Sequence, residues 1–141
     1  MRTRYLFLPL GLAVAASAAA HHSFSAEFDA SKPVTLHGTI LRMEWINPHS
    51  WLHIAVKNPD GTTTEWMIEA ATPNTLFRRG YTKDAVKTGT EITVEGYRAK
   101  NGANRANGRD MILPDGSRLF MGSAGTGAPG DSAAGGASSE Q

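Results

Sequence analysis

Histidine is the side chain here best placed to do chemistry, and all five histidines fall between residues 21 and 53. Imidazole ligates transition metals and moves protons near neutral pH. His21 and His22 are adjacent, and Ala18 and Ala20 stand where a signal peptidase accepts small side chains. Cleavage after Ala20 would make His21 the first residue. Its α-amine and its own ring nitrogen would then chelate one Cu(II), an ion that amine and imidazole nitrogens favour. His49 would add a further nitrogen, so the candidate metal set is His21, His22 and His49. Cleavage one residue earlier removes the amine chelate. The plainer reading of His21-His22 is a polar mature terminus. No cofactor is required; Cu(II) is the one the histidines would accept.

The other histidines have structural explanations at hand. His49 falls in a turn, where its ring can cap the backbone or pack on Trp51. His53 is expected on the outer face of a strand, opposite Glu44, in a cross-strand contact. His37 is expected on the surface, too far along its strand to join either. Glu65 and Glu69 share one strand face, where acid pairs are usually solvated. There are no cysteines, which excludes disulfides, thiol catalysis and Cys-ligated metals. The nucleophile elbow, the phosphate-binding loop, the H-E-x-x-H helix and the dinucleotide turn are all missing. No catalytic residue is assigned, and the chain is read as a non-enzyme.

These residues need a scaffold. Residues 1–20 read as an export signal: Arg2 and Arg4, then a short run of mostly Leu, Val and Ala, too short to span a bilayer. The expected location is periplasmic or secreted, with no stable membrane insertion after cleavage. Residues 122–141 are almost entirely Gly, Ala and Ser and cannot offset their ordering entropy by burial, so they are expected to be disordered. One folding unit remains, over residues 21–121. Removing the leader leaves twelve basic residues against thirteen acidic, a formal charge of −1. That balance speaks against nucleic acid as a partner, and no other partner can be named.

The middle of the chain is β-patterned. Strands are expected over 34–46, 51–57, 62–70, from 92 and 109–113, with a final segment at 118–121. Turns fall at 47–50, 58–61 and 114–116. Thr72 as N-cap and Pro73 at N1 open a short helix, and Gly80 ends it. This order predicts an all-β domain with one short helix, a five-stranded OB-like barrel, the alternative being an antiparallel sandwich. Pairing Ile46 with Trp51 puts Trp45, Met43 and Leu41 on the face of Leu52 and Ile54. Upstream the apolar set has the other parity, which requires a β-bulge near 40–41. Ligands of such barrels use the second and third strands and the loops between strands one and two and strands four and five. The expected ligand face is therefore Trp51 and His53 with Arg98 and Arg105, the 4–5 loop being residues 100–108. Lys100 and Arg109 belong to the same basic group, and Trp45 and Trp66 are expected in the core.

HHSFSAEFD (21–29), KPVTLHGTI (32–40), EWINPHSW (44–51), LFRRGYTKD (76–84) and ITVEGYRAKNG (92–102) resemble a family of small exported bacterial proteins of unknown function. Its members begin their mature part with His-His-Ser-Phe and carry an E-W-x-N-P-H segment. The resemblance spans residues 21–122. It implies export and a small β-rich domain, and it carries no activity and no site residues. The expected function is an exported, non-enzymatic binding module of unknown ligand, or alternatively a periplasmic copper-binding protein.

Overall fold

The computed structural model describes residues 24–122 and 128–129. The expected leader, His21 and His22, and most of the Gly/Ala/Ser segment lie outside the described residues. After a helical turn at 24–27, the elements are β1 (Phe28–Glu44), β2 (Ser50–Lys57), β3 (Thr63–Ala70), α1 (Pro73–Arg78), β4 (Glu91–Ala99), β5 (Arg105–Ile112) and β6 (Arg118–Phe120). The domain is all-β with one short helix. Five strands bond in a ring: β1 pairs with β2, β2 with β3, β3 with β5, β5 with β4, and β4 with β1. Only the β3–β5 pair is parallel. The succession of three strands, a helix and two strands is the one expected, and β6 adds to the far end of β5.

β1 serves two partners. Residues 33–39 pair with β4 and residues 39–44 with β2, so Thr39 is bonded on both sides. The register shifts between Ile40 and Arg42, which makes Leu41 the extra residue of a bulge at the expected place. The 87–90 turn braces it. The Gly89 amide donates to the Ile40 carbonyl at 2.8 Å, and the Thr88 hydroxyl donates to the Leu41 carbonyl at 3.0 Å.

Three local expectations are corrected. Trp51 pairs with Glu44, not Ile46, so the first hairpin is displaced by two residues. The cause is Trp45, which leaves the strand to stack on Phe77 of α1 with ring centroids 4.7 Å apart. Leu41 is accordingly exposed rather than internal. Residues 100–108 are not all loop: β5 starts at Arg105, and Ala106, Asn107 and Gly108 are buried. Their small size serves the contact between β3 and β5, since a Cβ on Gly108 would lie 2.8 Å from Ile68 and 2.9 Å from Met121.

The interior holds Leu36, Ile40, Leu52, Ile54, Trp66, Ile68, Val94 and Met111, drawn from every strand of the ring. A six-residue helix has no stability of its own. α1 is held by the Thr72 hydroxyl, which accepts from the Thr75 amide at 3.3 Å, and by fully buried Leu76. Tyr81, also fully buried, donates its hydroxyl to the Leu119 carbonyl at 2.8 Å, tying this segment to β6, and burial pushes its phenol well above the ordinary value. A second cluster, Phe24, Phe28, Tyr97, Ala99 and Ala128, seats the N-terminal turn on β4.

β4 passes β5 closely at a second bulge, between Glu95 and Gly96. A Cβ on Gly96 would stand 2.1 Å from the Asn107 carbonyl oxygen, which is backbone and cannot swing aside. Gly96→Ala should therefore destabilise the domain by about 1–3 kcal/mol, the usual cost of overpacking, read as a lower urea midpoint. An unchanged midpoint would mean that the strands separate freely there.

Candidate functional site

Strand alternation divides the side chains of the ring between two faces. Leu52, Ile54, Trp66, Ile68 and Ala106 point inward. Their neighbours Trp51 and His53 on β2, Glu65, Met67 and Glu69 on β3, and Arg105 and Asn107 on β5 point outward. The bulge at Leu41 adds Arg42 and Glu44 of β1 to this outer face. Across it, Arg42 lies opposite His53 and His53 opposite Met67, while Glu44 lies opposite Trp51 and Trp51 opposite Glu69. Met67 is level with Arg105 and Glu69 with Asn107. Two histidine–carboxylate clusters result.

The first is closed. The His53 Nδ1 is 2.7 Å from the Glu65 carboxylate, and its Nε2 is 3.2 Å from that of Glu44. Arg42 bridges the same two acids, at 3.3 Å to Glu44 and 3.1 Å to Glu65. The expectation of a His53–Glu44 contact on the outer face holds in part, but the residue opposite is Arg42, and the imidazole is only 2% exposed. The charged neighbours cover it. The His53 Nε2 has no aligned hydrogen-bond partner. The hydrogen bond from His53, then the Arg42 guanidinium, holds the Glu65 carboxyl below the usual carboxylate range.

The second cluster sits where β2, β3 and β5 meet. The His49 Nδ1 lies against the carboxylate of Glu69, whose residue is 7% exposed. Glu69 is thus buried, contrary to the solvated strand acid expected from spacing. Burial pushes its carboxyl up, with nearby Glu27 acting in the same sense and His49 and Arg105 against it. Arg105 pairs with Glu27 at 2.6 Å and lies 4.7 Å over the Trp51 ring. The N-terminal turn reaches this end of the face. The Lys100 amide donates to the Glu27 carbonyl at 2.9 Å, and the Lys100 ammonium donates to the Ser25 carbonyl. Phe24 is buried edge-on against Tyr97, centroids 5.7 Å apart.

Of the expected ligand face, Trp51, His53 and Arg105 lie together. Arg98 is apart, 5.2 Å over Trp66, donating to the Gly102 carbonyl at 3.1 Å. Arg109 is held by Asp110 and Glu95 at 2.8 and 2.9 Å. Each member of the basic group is thus engaged within the chain. Trp66 is core as expected, and Trp45 is partly buried, packed against the core and stacked on Phe77. His37 is on the surface as expected, 2.8 Å from the Thr93 hydroxyl. It lines a groove with Thr39, Lys57 and Glu91 that shares no residue with either cluster. His21 and His22 lie outside the described residues. Among the described residues no three His, Asp or Glu side chains are grouped to hold a metal ion, and no helix is long and apolar enough to cross a membrane. Sequence reasoning passed over Glu27 and Arg42, and it set Glu65 and Glu69 aside as solvated strand acids. The available signal was the placement of Glu69 on the same face as Trp51 and His53.

The Glu65 carboxyl, lowered in the fold, stabilises it above its unfolded value of about 4.3 and loses that effect as pH falls through the lower folded value. Glu65→Gln should therefore lower the melting temperature at pH 7. The deficit should close as both proteins approach the acid side of that transition. An equal deficit at pH 7 and pH 2.5 would assign the loss to packing.

No curated protein matches the chain. A family model described as a family of unknown function, DUF6152, matches residues 10–108, most of the chain. With most of its length matched, the protein belongs to DUF6152, a family of unknown function.

Proposed function

We propose that this protein is an exported, non-enzymatic binding module whose binding face is the outer surface of β2 and β3, at the end where the N-terminal turn docks. The observation that carries the reading is the charge of that face. The carboxylates of Glu27, Glu44, Glu65 and Glu69 outnumber the guanidiniums of Arg42 and Arg105, with His49 and His53 between them. Such a face favours a cationic ligand. Arg98, Lys100, Arg105 and Arg109 are all engaged internally, which argues against nucleic-acid phosphate as the ligand. The leader-like residues 1–20 support export, and nothing in the face resembles a nucleophile with its base.

A second, narrower reading makes the cation Cu(II), held by His21, His22 and His49. It is favoured by the docking of Phe24 against Tyr97, with Glu27 tied to Arg105 beside Glu69 and His49. His22 precedes Phe24 by two residues, and each residue reaches about 3.3–3.6 Å. Phe24, two residues further on, is held at this end of the face.

Mass spectrometry of the exported protein should find His21 as the first residue. Copper added to that protein should produce a visible ligand-field band and raise the melting temperature. A free concentration of a hundred times Kd stabilises a fold by about 2.7 kcal/mol. His21→Ala and His49→Ala should each weaken the effect. A different N-terminus, or a spectrum and melting temperature untouched by micromolar Cu(II), would sink the copper reading. If no divalent cation tested alters the fluorescence of Trp51, assigned by difference from Trp51→Phe, the cationic reading of the face goes with it.

A further inference from the structure

We infer that the groove beside His37 is a second binding site, for a small dipolar molecule that carries one ammonium and one carboxylate. Strand pairing builds it. Ala55 of β2, Thr39 of β1 and Glu91 of β4 form one cross-strand row. His37 of β1, Thr93 of β4 and Ile112 of β5 form the next. Lys57 lies two residues past Ala55, beyond the last pair that joins β2 to β1. All of these residues line one cavity of about 600 Å³, an ordinary size for a small-molecule site. The site is separate from the histidine–carboxylate face and does not depend on it.

The charges of the groove define the ligand. The other acids of the strands are engaged. Asp29 meets Lys32, Glu44 and Glu65 meet Arg42, and Glu69 meets His49. Glu95 and Asp110 share Arg109 and Arg118. Among the described residues Glu91 is the one strand carboxylate without a cation. Of the remaining strand cations, Arg105 pairs with Glu27, and Arg98 lies over Trp66 and donates to the Gly102 carbonyl. Lys57 is thus the one strand cation, among the described residues, whose side chain meets no acid, carbonyl or ring. These two leftover charges line the same groove. Sheet geometry keeps them from pairing with each other. Ala55 and Glu91 stand two strand spacings apart, about 10 Å, and Lys57 lies about 7 Å farther along β2. A molecule with a charge at each end can span that gap, its carboxylate on Lys57 and its ammonium on Glu91. A singly charged one satisfies one side chain and leaves the other without a partner. Between the two charges the groove offers the Thr39 and Thr93 hydroxyls, the latter 2.8 Å from the His37 Nδ1. Ile112 supplies apolar contact for the carbon chain of the ligand.

The test uses the full chain and NMR titration at millimolar concentration. The probes are ω-amino acids of increasing length from glycine to aminohexanoate, with diglycine and triglycine. Butylamine and butyrate are the singly charged controls. At least one dipolar probe should shift the Gly38 and Thr93 amides saturably and bind about 10-fold tighter than either control, the usual worth of a hydrogen bond to a charged group. Lys57→Glu and Glu91→Lys should each weaken that probe about 10-fold or more. The double variant should restore it, because a dipolar molecule can turn end for end. Both side chains are exposed, so each variant should keep the wild-type melting temperature, which separates lost binding from lost folding. Binding of butylamine or butyrate as tight as that of every dipolar probe would overturn the inference. So would a double variant as weak as the single ones, or shifts confined to the surroundings of Trp51. If no probe moves Gly38 or Thr93, the groove is not a site of this kind, and the reading of the β2–β3 face is untouched.

Discussion

A single strand that must satisfy two neighbours in turn governs this molecule. β1 is bonded to β4 as far as Thr39 and to β2 from Thr39 onward. The inserted Leu41 lets it bend, and it also reverses which side chains face inward. Before the bulge the even-numbered Leu36 and Ile40 are internal; after it the odd-numbered Met43 packs on the core. Arg42 and Glu44 would point into the interior of an unbroken strand. The same inserted residue that allows the ring to close therefore delivers these two charges to the outer face, where His53 needs them.

Much of this was legible in the residues. Alternation located the strands, and the parity change in β1 located the bulge, because a buried face leaves no other way to keep apolar residues inside. The exact pairing of the first hairpin was not legible. Trp45 continues the apolar pattern of β1 and would serve as a strand residue, but its ring partner, Phe77, is thirty-two residues away in α1. Asn and Gly in residues 100–108 suggest a loop on local grounds. At Gly108 the absence of a side chain instead serves a close approach between strands, a fact visible only once β3 lies alongside.

The site was legible by face and not by depth. Period-two patterning tells which side of a sheet a residue occupies and says nothing about what covers it. His53 and Glu69 are both on the outer side, yet both are buried. Buried ionisable groups must find partners, and each does: His53 among Glu44, Glu65 and Arg42, and Glu69 with His49. The two arrangements differ in what they leave open. Around His53 both ring nitrogens face acids already bridged by arginine, which makes a brace across three strands. At His49 one nitrogen is spoken for and the ring still meets water.

Tyr97 lies at the meeting point of two distant stretches of chain. Phe24 packs on its ring from one side of the sequence, with Phe28 behind Phe24. Ala128 joins the same cluster from the other, and the Tyr97 hydroxyl donates to the Pro129 carbonyl at 3.3 Å. The short piece around 128 thus acts as a clasp over the aromatic anchor of the N-terminal turn. Trimming the gene after Met121, a natural economy given the bland composition beyond it, would open that clasp and slacken the aromatic part of the docking that holds the turn, leaving its bonds to Lys100 and Arg105.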